Sequence, residues 1–417
     1  MMRYVTFGCL WWVFWVFSWH IISNSFGMHI PHYPILILIS FPIMMALGGL
    51  TAKSICNHFK LNETKRLHVE SVDDLFAKLV LFIALCLLLV NAYLSVKTYF
   101  LISHGFSMSH IRGMYFGFLP GGGWFSNKLF AFIYNTSYAI FSTLVSILAF
   151  VLIAKKNKYW PVFLLTSVLL LTSSSFIKGA RGELYGLVLL ALIFVFVECG
   201  ALKSKRLLFS FVIGVLLIIG LGCYISIERS GNFIHSFLTY HIVGFTLFSK
   251  YVQYDLHGLI NPFGLQFSVV GGIDYLFSIF VRFVFFHDYA SPILIQIYHQ
   301  AQDVMVRSQY SHGGFSFVKF NTFYTVVLSL YQSGGVFGVL LGGATIGSCF
   351  TIVTHKNDSV YSKVISMYIL YFVCMGIFSS PLEVPAFFLG LMVINIIYTF
   401  GLYMYDIRGD KLERCSK

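Results

Sequence analysis

The chain has 417 residues, of which 58% are hydrophobic and 11% are charged, and its formal net charge is +12. Soluble domains average about 25% charged residues, so this composition excludes an ordinary soluble domain and indicates a polytopic membrane protein. In a soluble protein such a basic balance would suggest nucleic-acid binding. Here the positive-inside rule explains much of it, and we expect no nucleic acid as a partner.

Ten stretches are long and apolar enough to be membrane spans, since a span takes about 20 apolar residues. They are 4–22, 33–52, 76–102, 129–154, 160–177, 184–200, 207–225, 333–353, 361–379 and 385–404. No small-residue cleavage site follows the first stretch, so we expect a retained span rather than a cleaved signal peptide. The predicted fold is an all-α polytopic membrane protein with about 10–12 transmembrane helices, the range reflecting the segment 258–332.

The basic residues between these spans fall on one side when the N-terminus is placed in the cytoplasm. The four loops and the tail on that side are 53–75, 155–159, 201–206, 354–360 and 405–417. Together with three basic residues at span ends, they hold 18 of the 28 Lys and Arg residues. Because cytoplasmic loops concentrate Lys and Arg, this bias predicts that both termini are cytoplasmic.

This topology divides the chain into three segments. They are an N-terminal bundle of about seven spans (1–225), a long exterior and interfacial segment with amphipathic helices (226–332), and the C-terminal spans with a cytoplasmic tail (333–417). In the exterior segment, Asp274, Ser278 and Arg282 recur at every fourth residue among apolar residues, which predicts a mostly apolar helix with one polar stripe. That helix could lie in the interface, re-enter the membrane or add a pair of spans. A second, amphipathic helix is predicted to begin at Ser291-Pro292.

The apolar stretch that opens at Asn321-Thr-Phe-Tyr-Thr325 is interrupted at Gln332-Ser-Gly-Gly335, before the next span. Two adjacent glycines allow backbone conformations that a regular helix does not contain. This pattern predicts a broken or half helix.

The charged turn Lys178-Gly-Ala-Arg181-Gly-Glu183 lies between two spans on the predicted exterior side. Its glycines let the backbone approach a ligand closely, and three charges are more than an interfacial anchor requires. The turn is therefore a candidate binding site. The structural alternative is an Arg–Glu ion pair with side chains that snorkel from the helix ends.

Three more exterior cations, Arg112, Arg229 and Arg282, lie at predicted membrane depth. Arginine near hydrocarbon is costly, so such residues are functional candidates by default. The guanidinium group binds phosphate oxygens as a fork and stays charged at any working pH. A cluster of these side chains at an outer membrane face suits a lipid-linked phosphate or diphosphate.

A general base for a sugar hydroxyl would come from an exterior carboxylate or a histidine. Glu183 and Asp274 are among those carboxylates, whose alternative role is pairing with a nearby arginine. His312 precedes two glycines, and its alternative role is that of an ordinary histidine at head-group level. The chain contains no HExxH motif and no CxxC pair, so we expect neither a metal site nor a disulfide.

Two of these motifs resemble the Wzy-type O-antigen polymerases of bacteria. The turn 178–183 resembles the family's Gly/Arg turn between two middle spans. The run from Asn321 to Thr325, followed by Leu330-Tyr-Gln-Ser-Gly-Gly335-Val-Phe-Gly338, resembles the family's Asn, aromatic and Thr, then Tyr-x-Asp-x-Gly-x-x-Gly. Ser333 stands where that Asp usually lies, which leaves no acidic group there and suggests that the position matters for the geometry of the helix break.

The resemblance implies a GT-C-like glycosyltransferase of the bacterial inner membrane with a large periplasmic loop. Its donor would be a growing glycan on undecaprenyl diphosphate, and its acceptor a single repeat unit on the same carrier. The donor arrives activated, so no cofactor is expected, and a chain-length regulator protein is a candidate partner. Basic side chains, Arg181 first, would hold the diphosphate and stabilise the charge that develops as it leaves.

The candidate site residues follow from two criteria, the chemistry of the residue type and this resemblance. The catalytic candidates are Arg181, Arg229, Arg282, His312 and Asp274, and the substrate-binding candidates are Lys178, Glu183, Arg112, Asn321, Thr325 and Tyr331.

Three other functions compete with polymerisation. An O-antigen ligase would share the exterior loop and the arginine-rich site but use a lipid A-core acceptor. A flippase or other secondary transporter would be expected to show paired half-sequences and charges in mid-span, and the sequence contains no such repeat. The third is a non-enzymatic membrane protein that assists polysaccharide assembly, and the exterior arginines argue only mildly against it.

Overall fold

The computed structural model of the chain is almost entirely helical over the residues it describes. Those residues are 2–25, 32–58, 70–115, 124, 125, 128–178, 182–198, 220, 241, 242, 244–246, 248, 249, 251–253, 271–284, 308, 309, 317, 318, 325–354, 359–378 and 380–415.

The helices begin and end close to the predicted spans. They are α1 (Met2–Ser25), α2 (His32–His58), α3 (Glu70–Ser103), α4 (Met108–Tyr115), α5 (Lys128–Ala154), α6 (Trp160–Lys178), α7 (Gly182–Val197), α8 (Gly271–Val284), α9 (Val326–Thr354), α10 (Val360–Met375) and α11 (Pro385–Cys415). A 3₁₀ turn, Pro381–Glu383, precedes α11. Two short strands, β1 (Ser308–Gln309) and β2 (Phe317–Val318), pair antiparallel.

Seven of the described helices are long and apolar enough to cross a membrane, namely α1, α2, α3, α5, α6, α9 and α11. Helices α7 and α10 are apolar but shorter. Nine of the ten predicted spans coincide with these nine helices, and the tenth, 207–225, lies outside the described residues except for Gly220. The prediction of a helical polytopic membrane protein is thus confirmed. The helix predicted from Ser291 lies outside the described residues.

Long helices of this fold carry apolar side chains on their outer surface. On α3, Phe82, Leu89, Tyr93 and Val96 are each at least 65% exposed. A water-soluble protein rarely presents so continuous an apolar stripe, because it would drive association. Contact with lipid tails accounts for it.

The chain forms two compact units, each assembled from separate stretches. Unit 1 comprises Met1–Glu63, Ile234–Lys356 and Phe372–Phe388, and unit 2 comprises Thr64–Phe233, Asn357–Tyr371 and Leu389–Lys417. The predicted division at residues 225 and 332 describes position relative to a membrane, and it stays a prediction.

Helices α2 and α9 of unit 1 approach each other through small residues. A side chain at Gly48 would overlap the carbonyl oxygen of Ala344, and one at Gly347 would overlap that of Met45. The hydroxyl of Thr351 donates a hydrogen bond to the carbonyl oxygen of Gly49 at 3.1 Å. Close backbone contact of this kind drives helix association where lipid removes the hydrophobic difference between helix and surroundings.

Gly347→Ala is expected to lower the free energy of unfolding by about 2 kcal/mol, because the added methyl group meets backbone that cannot rotate away. Thermal unfolding of the purified protein in detergent measures this change. Thr345→Ala is the matched control, since that exposed side chain bonds to Leu341 of its own helix. Equal unfolding midpoints for the two variants would contradict close packing of α2 on α9.

Helix α9 is two helices joined at a sharp break. Gly334 has φ −161° and ψ 22°, and Gly335 has φ 59° and ψ −147°. The first half begins at a cap, where the Thr325 hydroxyl accepts a hydrogen bond from the Leu328 amide at 3.1 Å. The break predicted at 332–335 is confirmed.

Helix α8 belongs to unit 1 and has one buried polar residue and two exposed aromatic residues among its described side chains. Ser278 is buried, whereas Phe277 and Phe280 are more than half exposed. A side chain at Gly272 would lie 2.8 Å from the carbonyl oxygen of Leu382, so the start of α8 packs against the 3₁₀ turn. The predicted helix is confirmed, and the orientation of its polar stripe at Arg282 stays a prediction because that side chain lies outside the description. The inside-out distribution of α8 suits a helix in contact with lipid.

Unit 2 is organised around α5, whose side chains are largely buried, with α3, α6 and α7 packed against it. Asn91 of α3 lies fully buried and donates hydrogen bonds to the carbonyl oxygen of Leu170 and the hydroxyl of Ser173 on α6. Lys363 and Glu198, both predicted at cytoplasmic span ends, form an ion pair at 2.8 Å. The charge pattern assigns the end of α7 and the start of α10 to the cytoplasmic side, and the ion pair shows that these two ends are in contact.

Candidate functional site

The turn between α6 and α7 brings two of the predicted site residues into direct contact. Lys178 closes α6, and its ammonium nitrogen lies 2.5 Å from an oxygen of Glu183 in the first turn of α7. A cation at a helix C-terminus and an anion at a helix N-terminus both oppose the partial charges of the helix ends. Three interactions therefore stabilise the pair: the attraction between Lys178 and Glu183, and the interaction of each charge with its own helix end.

Tyr138 of α5 completes this arrangement. Its hydroxyl donates a hydrogen bond of 2.9 Å to the second carboxylate oxygen of Glu183. The ammonium nitrogen of Lys178 lies 4.2 Å from the centre of the Tyr138 ring, within the range of a cation–π interaction. We refer to Lys178, Glu183 and Tyr138 as the Lys–Glu–Tyr cluster.

The Lys–Glu–Tyr cluster is shielded from solvent. The side chain of Lys178 is 13% exposed and that of Glu183 is 19% exposed, and Tyr138 is buried. Charges in such a place interact strongly because water screens them little. A pair with this geometry holds the end of α6 and the start of α7 together.

More aromatic and amide groups surround the cluster. The Tyr115 ring centre lies 5.8 Å from the Lys178 nitrogen, and the Tyr115 hydroxyl donates to the side-chain oxygen of Asn135 at 2.7 Å. Burial, with smaller effects of Tyr134 and Glu183, raises the pKa of Tyr115 well above its ordinary value, so this hydroxyl remains a donor at any working pH. The Lys–Glu–Tyr cluster and its surroundings therefore combine aromatic rings with polar groups.

Two further tyrosines lie in this region. The hydroxyl of Tyr134 donates to the side-chain oxygen of buried Asn91. The hydroxyl of Tyr371 on α10 reaches Gly186, one helical turn after Glu183, so a side chain at Gly186 would lie 2.6 Å from it. Sequence reasoning missed Tyr115, Tyr134, Tyr138 and Tyr371. The available signal was the spacing of Tyr134 and Tyr138, which places both on one face of α5 near its predicted exterior end.

The ion pair bears on what the turn can bind. The structural alternative for the turn was an Arg–Glu pair; Arg181 lies outside the described residues, and among the described residues Glu183 pairs with Lys178. Each oxygen of Glu183 already accepts a hydrogen bond, one from Lys178 and one from Tyr138. A phosphate group that bound Lys178 would have to compete with Glu183, so these two residues are better suited to shaping the turn than to holding an anion alone.

Arg112 belongs to the same end of unit 2. It lies in the last turn of α4, which packs against α3 and α6, and it is partly exposed. Arg112 and Tyr115 are three residues apart on α4 and so lie on neighbouring positions of one face. Since Tyr115 lies beside Lys178, the structure places Arg112 in the neighbourhood of the cluster.

Three predicted residues belong to unit 1. Thr325 is fully buried and caps the first half of α9, and buried Tyr331 lies edge-on to the ring of Phe248, 5.7 Å between centres. Asp274 is half-buried in the first turn of α8. Thr325 and Tyr331 thus have structural roles, and their assignment to substrate binding stays a prediction.

The remaining predicted residues lie outside the description. They are Arg181, Arg229, His312 and Asn321, together with the side chain of Arg282, whose backbone belongs to α8. Among the described residues, no three His, Cys, Asp or Glu side chains come together as metal ligands. The expectation of a metal-free site stays a prediction.

Comparison of the chain with models of protein families, with curated proteins and with solved structures finds no match. The function is therefore argued from the residues and their geometry.

Proposed function

We propose that the chain is a membrane glycosyltransferase that polymerises undecaprenyl-diphosphate-linked oligosaccharide repeat units into an O-antigen or capsule-type polysaccharide. The proposed location is the periplasmic face of the bacterial inner membrane. The observation that carries this proposal is the Lys–Glu–Tyr cluster, a shielded charged site with tyrosine rings around it at the end of an apolar helix bundle. Such a site suits a substrate that joins sugar rings, an anionic group and a lipid.

The proposed step exchanges one bond for another. A hydroxyl group of the acceptor repeat unit attacks the anomeric carbon of the donor glycan, and a glycosidic bond forms. The bond between that carbon and the diphosphate oxygen breaks, and undecaprenyl diphosphate leaves with the electron pair. The hydroxyl proton passes to a general base. No nucleotide is required, because the donor already carries its leaving group.

Arg181 is the residue assigned to the diphosphate in this proposal. The turn 178–183 carries three charges, and the two that the structure describes, on Lys178 and Glu183, neutralise each other. A fixed guanidinium group stabilises the negative charge that develops on the departing diphosphate more than it stabilises the bound donor. The paired ends of α6 and α7 support this role, because they hold the backbone on either side of Arg181.

The remaining role is that of the general base. Glu183 is less suited to act as the base, since both of its oxygens already accept hydrogen bonds. The base is assigned to Asp274 or His312. The resemblance has a second motif, which runs from Leu330 to Gly338. The break in α9 lies within that motif, at Gly334 and Gly335, and this supports the resemblance.

The test is the surface polysaccharide of cells that lack this chain, separated on a gel. The proposal expects the ladder to collapse to core bearing one repeat unit, to return with the wild-type chain, and to stay collapsed with Arg181→Ala at an equal protein level. Arg3→Ala is the control, since Arg3 is an exposed arginine at the start of α1.

Other polysaccharide profiles in the cells that lack this chain would indicate a different function. Long chains that accumulate on the carrier lipid without reaching the core would identify a ligase. Single lipid-linked units that accumulate on the cytoplasmic side would identify a flippase. A full ladder with Arg181→Ala would remove that residue from the diphosphate site.

A further inference from the structure

A cavity of about 610 Å³ lies at the other end of α6 from the Lys–Glu–Tyr cluster. Its walls come from the start of α3, the end of α5, the loop 155–159, the start of α6 and the first residue of α10. The charge pattern assigns this end of unit 2 to the cytoplasm, so polymerisation at the periplasmic face makes no use of it. Its volume lies within the range of about 300–1,000 Å³ that is usual for ligand pockets.

The loop on one side of the cavity is held by its own hydrogen bonds. The amide of Asn157 donates to the carbonyl oxygen of Leu152 at 2.9 Å, and the amide of Lys156 donates to that of Ile153 at 3.0 Å. This is the Schellman arrangement that ends a helix, with Lys156 in the left-handed conformation at φ 54°. The Asn157 side chain accepts a further bond from the amide of Tyr159 at 2.9 Å. The loop is therefore preorganised.

The cavity wall combines both signs of charge with apolar surface. Asp73 and Asp74 face it together with Lys78 and Lys155, so the charges of these four residues cancel. The apolar part includes Val162, an exposed residue on the first turn of α6. A ligand that fits this wall is amphipathic, and its polar part carries both charges.

The ion pair between Asp74 and Lys78 indicates how such a ligand binds. The two charged atoms are 2.6 Å apart, and their side chains are 45% and 67% exposed. An exposed pair of this kind is weak and can be rearranged. A group with one phosphate and one ammonium can enter it and form two pairs in place of one, with the phosphate on a lysine and the ammonium on Asp74. An anionic group would instead leave Asp74 beside a like charge.

We propose that this cavity binds a zwitterionic glycerophospholipid of the cytoplasmic leaflet. Lys78 and Lys155 take the phosphate, Asp74 takes the primary ammonium, and an acyl chain lies along Val162 and Phe163. The membrane supplies this ligand at the depth where the ends of α3, α5 and α6 lie. A water-soluble phosphoethanolamine has the same polar chemistry but would leave the apolar wall uncovered.

The test uses the purified full chain in detergent with equal amounts of phosphatidylethanolamine and phosphatidylglycerol that have identical acyl chains. Native mass spectrometry measures how much of each lipid stays bound. Wild type is expected to retain phosphatidylethanolamine about fivefold over phosphatidylglycerol, the ratio that one additional exposed ion pair provides. Asp74→Asn is expected to remove that preference, and Lys155→Met is expected to lower the retention of both lipids, since both carry the phosphate.

Control variants distinguish the loss of the lipid site from the loss of the folded structure. Lys155→Arg keeps the charge and is expected to keep the retention of both lipids, and Lys53→Met removes an exposed lysine of α2 and is expected to change nothing. Millimolar O-phosphoethanolamine should leave the bound lipid in place. Equal retention of the two lipids by wild type, unchanged preference in Asp74→Asn, unchanged retention in Lys155→Met, or displacement of the lipid by O-phosphoethanolamine would overturn the proposal.

Discussion

Glu183→Gln is expected to lower the free energy of unfolding by about 3 kcal/mol, because it leaves the shielded ammonium of Lys178 without its counter-charge. The amide oxygen of glutamine can still accept the hydrogen bond from Tyr138, so the loss reports mainly the missing charge. The measurement is thermal unfolding of the purified protein in detergent. We expect the same variant to lose chain elongation, since the turn that holds Arg181 is no longer fixed.

A double variant distinguishes the two effects of this change. Lys178→Met/Glu183→Gln removes both charges, and it is expected to recover most of the stability, because replacing a whole shielded ion pair with neutral groups costs little. Elongation should remain low in the double variant, since the charges that position the turn are gone. Wild-type stability in Glu183→Gln would show that the ion pair contributes nothing to the fold.

Gly335→Ala is expected to cost about 3 kcal/mol of stability, because φ 59° with ψ −147° is a backbone conformation that essentially only glycine adopts. The space around Gly335 is open, with no atom within 4 Å of an added side chain, so the cost comes from the backbone rather than from a clash. The substitution also disfavours the break between the two halves of α9. Thermal unfolding in detergent measures the effect.

Gly334 provides a close control for this prediction. It is the neighbouring glycine, its surroundings are also open, and its φ of −161° is negative, so it lacks the left-handed strain of residue 335. Gly334→Ala is therefore expected to change the unfolding midpoint little. Equal destabilisation by the two alanines would argue that both act through something other than the conformation of residue 335.

The elements that the sequence predicted correctly depend on local properties. Length and hydropathy were sufficient to predict nine of the described helices, seven of which are long and apolar enough to cross a membrane, because a bilayer imposes nearly the same requirement on each span. The break in α9 was predictable because two adjacent glycines, Gly334 and Gly335, interrupt an apolar run. The polar stripe of α8 followed from the four-residue spacing of Asp274 and Ser278.

The contacts that the sequence did not predict join residues far apart in the chain. Tyr138 and Glu183 are 45 positions apart, and their hydrogen bond depends on which face of α5 turns toward α7. The ion pair of Lys178 with Glu183 depends on the end of α6 bringing that side chain toward the start of α7. The contact of Gly347 with Met45 joins helices separated by most of the chain. Helix packing determines each of these contacts, and residue spacing alone does not predict how the helices pack.

The most direct measurement is polymerisation by the purified chain in liposomes, supplied with one synthetic undecaprenyl-diphosphate-linked repeat unit. Mass spectrometry would determine the length of the lipid-linked glycans and the amount of free undecaprenyl diphosphate. We expect wild type to produce chains of two and more units, with one carrier released for each bond formed, and we expect Arg181→Ala to produce none. Folded wild-type protein that leaves the single units unchanged would contradict the account.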